Sequence, residues 1–121
     1  MPYERFDAWK LCHELNIELC RMSQGWGKKG FNKLMWQTQS AAWSAPANIV
    51  EGSTKRGPKE FRRFLDISLG SLAEIAYALR VAKDLSLLSG KDLDRIESLR
   101  ETASKTTWFL YKSVRRAAEQ V

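Results

Sequence analysis

The 121-residue sequence predicts an all-α protein, an up-down-up-down four-helix bundle formed as a single domain over residues 1–121. Apolar residues recur at alternating steps of three and four along most of the chain, and no segment shows the period of two that is typical of a strand. The connections between the helical segments are short, which favours antiparallel neighbours. Three prolines and seven glycines are too few for a chain dominated by turns.

The first helix is predicted over roughly residues 6–22. Its apolar stripe comprises Ala8, Cys12, Leu15, Leu19 and Met22. Cys12 and Cys20 lie about 12 Å apart along the helix axis, which is too far for a disulfide. Both are therefore expected to be reduced thiols. Residues 23–30 contain three glycines and predict a loop.

The second helix is predicted over residues 32–51, with Asn32 as its N-cap and Gly52 at its end. Pro46 falls inside this helix. An internal proline removes a backbone donor and clashes with the carbonyl one turn back, at a cost of roughly 3 kcal/mol. We therefore expect a kink at Pro46 and a carbonyl near Ala42 that needs another partner.

The second helix has two apolar faces. Leu34, Ala41, Ala45, Ile49 and Gly52 lie on one face. Trp36, Trp43 and Val50 lie on nearly the opposite face. A helix that is apolar all round is usually buried on both sides, and tryptophan is enriched at interfaces. The hypothesis is that a neighbouring subunit covers Trp36, Trp43 and Val50; the alternative is that an irregular bundle or the kink buries both faces within one chain.

The third helix begins at Pro58, the favoured first helical position for proline, and is expected to end near residue 87. Its apolar stripe keeps the alternating spacing of left-handed bundle packing and comprises Phe61, Leu65, Ser68, Leu72, Ile75, Leu79 and Ala82. The segment 89–92 resembles a capping box opened by Ser89. The fourth helix follows and is predicted to end near residue 119.

The net charge of +6 is concentrated in clusters. The densest places five cations within nine residues: Lys55, Arg56, Lys59, Arg62 and Arg63. A second group surrounds the glycine loop beside Trp26, whose ring is a candidate for stacking on a base, and comprises Lys28, Lys29 and Lys33. A third comprises Lys112, Arg115 and Arg116. Such clusters bind phosphates largely without regard to sequence; the alternative is that they form a solvated surface.

No pattern of catalysis or of metal binding is present in the sequence. His13 is the only histidine and no phosphate-binding glycine motif occurs, so the chain is expected to be no enzyme and to hold no metal or cofactor. One polar cluster near the proline is predicted to be structural: Pro46, Asn48, Glu51 and Glu74. These groups are expected to satisfy backbone atoms loosened by Pro46 or to link the second and third helices. A small-ligand pocket at the kink is the alternative.

Two motifs together resemble a known family. The first runs from Gln39 and Ala42 through Ser44, Pro46, Ala47, Asn48, Ile49, Glu51 and Gly52. The second comprises Lys59, Glu60, Phe61, Phe64, Leu65, Ile67, Ser68, Gly70, Ser71, Leu72 and Glu74, and Phe6, Trp9 and Lys10 also fit. They resemble the four-helix-bundle family of proteins encoded in intervening sequences of bacterial 23S rRNA genes. The resemblance extends over nearly the whole chain.

The resemblance implies a four-helix protomer that assembles as a ring of five. The family is similar in fold to the accessory variability protein of diversity-generating retroelements, which binds nucleic acid and a reverse transcriptase. Directly before the Ser-x-Pro of the first motif the family usually has Arg-Arg-Ala. At this place the chain has Ser40-Ala41-Ala42-Trp43. Two expected positive charges are therefore missing from the second helix, which weakens a nucleic-acid site there and strengthens a packing role for Trp43.

The sequence thus predicts a non-enzymatic, nucleic-acid-associated homo-oligomer, most simply a pentamer, that contacts RNA or DNA phosphates through the cluster at 55–63. The alternative is an interaction scaffold that binds a protein partner and uses its charges only for solubility. No run of about 18 apolar residues and no secretory signal is visible, so we expect a soluble cytoplasmic protein without membrane association.

Overall fold

The computed structural model describes residues 2–120 and contains four α-helices. They are α1 (Asp7–Ser23), α2 (Asn32–Ser53), α3 (Pro58–Asp84) and α4 (Gly90–Glu119). Short 3₁₀ turns, Pro2–Arg5 and Gly27–Lys29, precede α1 and α2. The described residues contain no strand. The predicted all-α four-helix fold is confirmed.

One apolar core joins the four helices. The largest fully buried apolar side chains come from every helix and are Leu15, Leu19, Ile49, Leu65, Leu72, Ile75, Leu79 and Ile96. Each helix packs on the next one in sequence, and α1 also packs on α4. Arg95 donates a 2.6 Å hydrogen bond to Glu18, while Cys12 Sγ lies 3.5 Å from Thr107 Oγ1. These pairs run in opposite senses along α1 and α4, so the two helices are antiparallel neighbours.

Two predicted helix ends on α2 are wrong in detail. Asn32 is the first residue of α2 rather than its N-cap, which is Phe31. Gly30 has φ of +91°, and this turn places the Phe31 carbonyl where it accepts the Met35 N–H at 3.0 Å. Gly52 does not end α2, which continues to Ser53.

Gly52 instead allows α3 to approach α2 closely. A Cβ atom at this position would lie 2.8 Å from Phe64 Cβ and 2.9 Å from Phe61 Cδ1. Real Cβ contacts are not this short, so only glycine fits without movement of α3. The glycine is therefore needed for helix packing and not for termination.

The connection between α3 and α4 also differs from the prediction. α3 ends at Asp84, three residues before the expected end, and Ser86 adopts φ of +60°. The chain reverses here because the N–H groups of Leu87 and Leu88 both bond to the Ala82 carbonyl, at 2.8 and 3.4 Å. Leu88 is thereby buried in the core. Ser89 is the N-cap residue of α4, but its side chain makes no capping bond.

Candidate nucleic-acid interface

The five cations at 55–63 lie at the end of the bundle where α2 passes into α3. Lys55 and Arg56 lie in the turn between the helices, and the others lie in the first two turns of α3. Arg62 is half-buried and the other four are exposed. Gly57, with φ of +84°, reverses the chain inside the cluster. The structure therefore places all five charges on one rounded end.

Lys55 and Arg63 are partly engaged within the protein. Both lie over the ring of Phe64, with Lys55 Nζ 5.3 Å and Arg63 Cζ 4.7 Å from its centroid. Lys55 lies 3.9 Å from Glu51, and Arg63 lies 3.2 Å from Glu60. Ion pairs this exposed contribute little to stability. These contacts orient the two cations more than they neutralise them.

The other three cations of the cluster make no ion pair within residues 2–120. They are Arg56, Lys59 and Arg62. Lys59 is exposed on α3. Arg62 lies 18 residues, or about five turns, before Arg80, so the two share the edge of α3 that lines a groove with α4. Charges without an internal partner are the ones that can contact phosphates without first breaking a contact. This subset is the part of the cluster best placed for an anion.

The structure brings a second basic cluster to the same end. Near the far end of α3, Arg80 and Lys83 line a groove with Asp94 and Glu97 of α4. Arg62 precedes Arg80 by the same 18 residues by which Arg115 follows Glu97. At 1.5 Å per residue, Arg62 and Arg115 each lie about 27 Å along the helix axis from this groove, in the same direction. The two residues therefore lie at the same level of the bundle.

We call this region the basic end: Lys55, Arg56, Lys59, Arg62, Arg63, Lys112, Arg115 and Arg116. Along the chain the two clusters are separate, about 50 residues apart. Their convergence follows from the similar lengths of α3 and α4, 27 and 30 residues, on either side of the turn that joins them. Both lengths can be estimated from the sequence.

The cations of the glycine loop lie at the opposite end, where α1 passes into α2. Lys28 and Lys29 belong to the 3₁₀ turn, and Lys33 lies in the first turn of α2. Trp26, which the sequence suggested as a base-stacking ring, is only 3% exposed and belongs to the core. That suggestion is wrong, because the loop folds over the end of the bundle and buries the indole.

The tryptophan face of α2, defined by Trp36, Trp43 and Val50, points away from the core. Trp36 is 66% exposed and Trp43 is 68% exposed, whereas Val50 is half-buried. Within a single chain, residues 2–120 leave the two indoles uncovered. The alternative in which one bundle buries both faces of α2 is therefore wrong.

A groove of about 880 Å³ runs between α2 and α3 beside Trp36. Residues that line it include Trp36, Gln37, Ser40, Gly70, Glu74 and Tyr77. Tyr77 is 72% exposed. Trp36 of α2 and Tyr77 of α3 thus stand beside this groove with most of their surface in water.

The polar groups near Pro46 divide between the protein interior and its surface. Asn48 donates to the Ser44 carbonyl at 2.8 Å and to Ser44 Oγ at 3.0 Å. Glu51 faces Lys55, whereas Glu74 is exposed in the groove and does not meet Asn48.

The links between α2 and α3 near Pro46 are made by serines that were not singled out as polar groups from the sequence. Ser68 donates to the Ala45 carbonyl at 2.8 Å, and Ser71 donates to Ser44 Oγ at 2.7 Å. α2 is one helix from Asn32 to Ser53 with Pro46 buried inside it. The predicted kink stays a prediction.

His13 and Cys12 each contact a neighbouring side chain within the protein. No group of three or more His, Cys, Asp or Glu side chains between residues 2 and 120 is arranged to hold a metal ion. His13 stacks on Trp9 with 4.9 Å between ring centroids. Burial raises the pKa of the Cys12 thiol to about 11, although the contact with Thr107 acts in the opposite direction. Over the same residues, no helix is both long and apolar enough to cross a bilayer.

Fold and surface together define a small helical-bundle protein with one strongly basic end. The family model of the 23S rRNA-intervening sequence protein matches residues 4–108. The chain therefore belongs to this family, as the motifs on α2 and α3 indicated. The matched region includes the cluster at 55–63 and the tryptophan face, and it ends before Lys112, Arg115 and Arg116. No curated protein matches the chain.

Proposed function

We propose that this protein is a non-enzymatic nucleic-acid-associated protein that contacts RNA or DNA phosphates through its basic end. The observation that carries the proposal is the convergence of the cluster at 55–63 with the C-terminal cations of α4. The eight cations of the basic end outnumber the nearby Glu51, Glu60 and Glu119, and this excess of positive charge attracts a polyanion from a distance. Each phosphate contact releases counterions, so affinity without sequence specificity follows.

The protein acts as a homo-oligomer in this proposal, with the tryptophan face as the contact between copies. The exposure of Trp36 and Trp43 supports it, because large aromatic side chains are enriched where protein surfaces meet. The ring of five implied by the family resemblance would bring five basic ends together. A single nucleic-acid strand that contacts several of them gains avidity without any new kind of contact.

A second function, a scaffold that binds a protein partner, is favoured by a different observation. The groove beside Trp36 combines exposed aromatic rings with few charges, as the centres of protein interfaces do. In this case the α2–α3 side receives another protein and the basic end contributes only solubility. The two functions differ in their salt dependence, because burial of apolar surface is not weakened by counterions.

The deciding experiment compares two variants with the same loss of charge. The first replaces Arg56, Lys59 and Arg62 with glutamine. The second replaces Lys28, Lys29 and Lys33 with glutamine at the opposite end of the bundle. Equilibrium binding to a structured RNA and to a duplex DNA is measured as a function of salt for both variants and the wild type.

The wild type is expected to bind with a steep negative slope of log affinity against log salt. The first variant should lose about 0.9 from that slope for each duplex-DNA phosphate contact that it removes, and the second variant should resemble the wild type. Equal weakening of both variants would mean that net charge alone acts, without a site. Absence of binding by the wild type at low salt would overturn the proposal in favour of the scaffold.

A further inference from the structure

The outer face of the C-terminal half of α4 carries aromatic rings among cations. At 100° per residue, the side opposite the buried residues Ala103, Thr107 and Ala118 carries five aromatic or cationic side chains, with the acidic Glu119 beside them at the helix end. These five are Lys105, Trp108, Phe109, Lys112 and Arg116, and we call them the α4 stripe. None of the sites assigned so far includes Trp108, Phe109 or Lys105.

The rings of the α4 stripe remain open to solvent. Trp108 is 43% exposed and Phe109 is 62% exposed. Lys112 Nζ lies 5.9 Å from the Trp108 ring centroid and 5.0 Å from that of Phe109, so one ammonium group stands beside both rings. Trp108 also stacks on Tyr111 at 5.4 Å, so one face of the indole lies against a neighbouring ring.

This combination differs from the tryptophan face of α2. Lysine is depleted at the centres of protein interfaces because burying its charge is costly. The α4 stripe has a lysine beside both of its rings and two more cations along the same side. The groove beside Trp36 has one lysine, Lys33, and its charge is opposed by Glu74 in the same groove. A positively charged aromatic surface is complementary to a ligand that carries both flat rings and negative charge.

Unpaired nucleobases on a phosphate backbone meet both requirements. In a duplex the faces of the bases are covered by their neighbours, whereas in a single strand they can stack on protein rings. The α4 stripe also continues into the basic end through Lys112 and Arg116, so a strand that stacks on it can continue over the phosphate-contacting cations. Stacking tolerates any base because every base has a flat face.

We propose that the α4 stripe binds the unpaired bases of single-stranded RNA or DNA by stacking on Trp108 and Phe109, with Lys112 and Arg116 contacting the adjoining phosphates. This inference rests on the proposed function and adds to it the preferred form of the ligand. Single strands should bind more tightly than duplexes with the same number of phosphates.

The test uses two double variants of the full chain. One replaces Trp108 and Phe109 with leucine, which keeps apolar surface and removes the rings. The other is Trp108→Phe with Phe109→Tyr, which keeps a ring at both positions. Binding to uridine and thymidine oligomers of about 12 nucleotides and to a matched duplex is measured, together with the molar mass of each variant in solution.

The leucine variant should lose at least about tenfold in affinity for both oligomers, keep the salt slope of the wild type, and bind the duplex as before. The ring-keeping variant should retain most of the affinity. Equal single-strand affinity in the leucine variant and the wild type would overturn this inference while leaving the phosphate site intact. A reduced molar mass would also overturn it, because the stripe would then be a contact between copies.

Binding by the wild-type protein distinguishes failure of the proposed function from failure of this inference alone. If the wild type binds neither oligomers nor duplex at low salt, the phosphate site and the stacking site are both excluded. If it binds both with equal affinity per phosphate, the phosphate site stands and the stacking site is excluded.

Discussion

Ser68 of α3 donates a buried hydrogen bond of 2.8 Å to the backbone carbonyl of Ala45, the residue that precedes Pro46 in α2. One turn further along α3, Ser71 donates to Ser44 Oγ at 2.7 Å. The two bonds join α3 to α2 at the point where proline has removed a backbone donor from the helix. Small hydroxyl side chains thus fix the register of the two helices beside the proline.

Replacing Ser68 with alanine should lower the free energy of unfolding by about 1–2 kcal/mol, because a buried acceptor loses its side-chain partner. Chemical denaturation of the purified variant measures this. Ser113→Ala on the exposed side of α4 is the matched control, with an expected effect within about 0.5 kcal/mol. Equal effects of the two substitutions would show that the bond to Ala45 contributes nothing.

Gly52→Ala should destabilise the protein by about 1–3 kcal/mol. The new methyl group would meet Phe64 Cβ at 2.8 Å and the ring of Phe61 at 2.9 Å, so α3 must move away from α2. This cost exceeds the gain that alanine normally brings inside a helix. The midpoint of thermal or denaturant unfolding measures the difference.

Gly70→Ala provides the opposite case on α3. A Cβ at Gly70 meets no atom within 4 Å, and the residue has ordinary helical φ. This substitution should therefore raise the free energy of unfolding by about 0.5–1 kcal/mol through the reduced entropy of the unfolded chain. Stabilisation by both substitutions would mean that α2 and α3 are not in close contact at Gly52.

The fold could be predicted because apolar residues at steps of three and four form one stripe on each helix. Packing the four helices into a bundle buries all of these stripes together. The stripe on α3 identified Leu65, Leu72 and Leu79, all of which are fully buried. The helix ends were less predictable. Glycine is common at the end of a helix, so the local sequence predicted that Gly52 ends α2. Its role is instead set by the close packing of α2 against α3. That packing depends on the tertiary structure and is not visible in a local pattern.

The candidate site was only partly predictable for a related reason. Clusters of lysine and arginine are visible along the chain, but which of them share one end depends on how the helices align. Trp26 shows the limit of the local pattern, since its glycine-rich, basic neighbourhood suggests an exposed loop while its indole completes the core. Trp108 and Phe109 show the opposite case. They follow the buried Thr107 in the chain, but their rings lie on the side of α4 that faces water.

The buried thiol of Cys12 makes stability depend on pH in the alkaline range. Burial raises its pKa from 9.0 to about 11, so the native state keeps a proton that the unfolded chain loses. This contribution to stability is fully present below pH 9 and is lost as the pH rises through about 11. The loss is on the order of 2–3 kcal/mol.

Cys12→Ala isolates this effect from the titration of lysine and tyrosine. The difference in unfolding free energy between wild type and variant should shrink by about 2 kcal/mol between pH 8 and about pH 10.5, because only the wild type carries the buried thiol. Denaturant unfolding of both proteins at the two pH values measures it. A constant difference would show that the Cys12 thiol ionises as readily in the native state as in the unfolded chain.

The tryptophan face should determine whether copies of the chain associate. Replacing both Trp36 and Trp43 with serine should leave the fold intact, since their side chains lie mostly in water, and should reduce the molar mass measured by light scattering toward that of one chain, 13.9 kDa. Loss of two large aromatic anchors typically removes several kcal/mol from an interface. Phe109→Ser, an equally exposed ring on α4, is the control and should leave the mass unchanged. If the wild type already has the mass of one chain, the tryptophan face is no contact between copies, and the groove beside it belongs to a different partner.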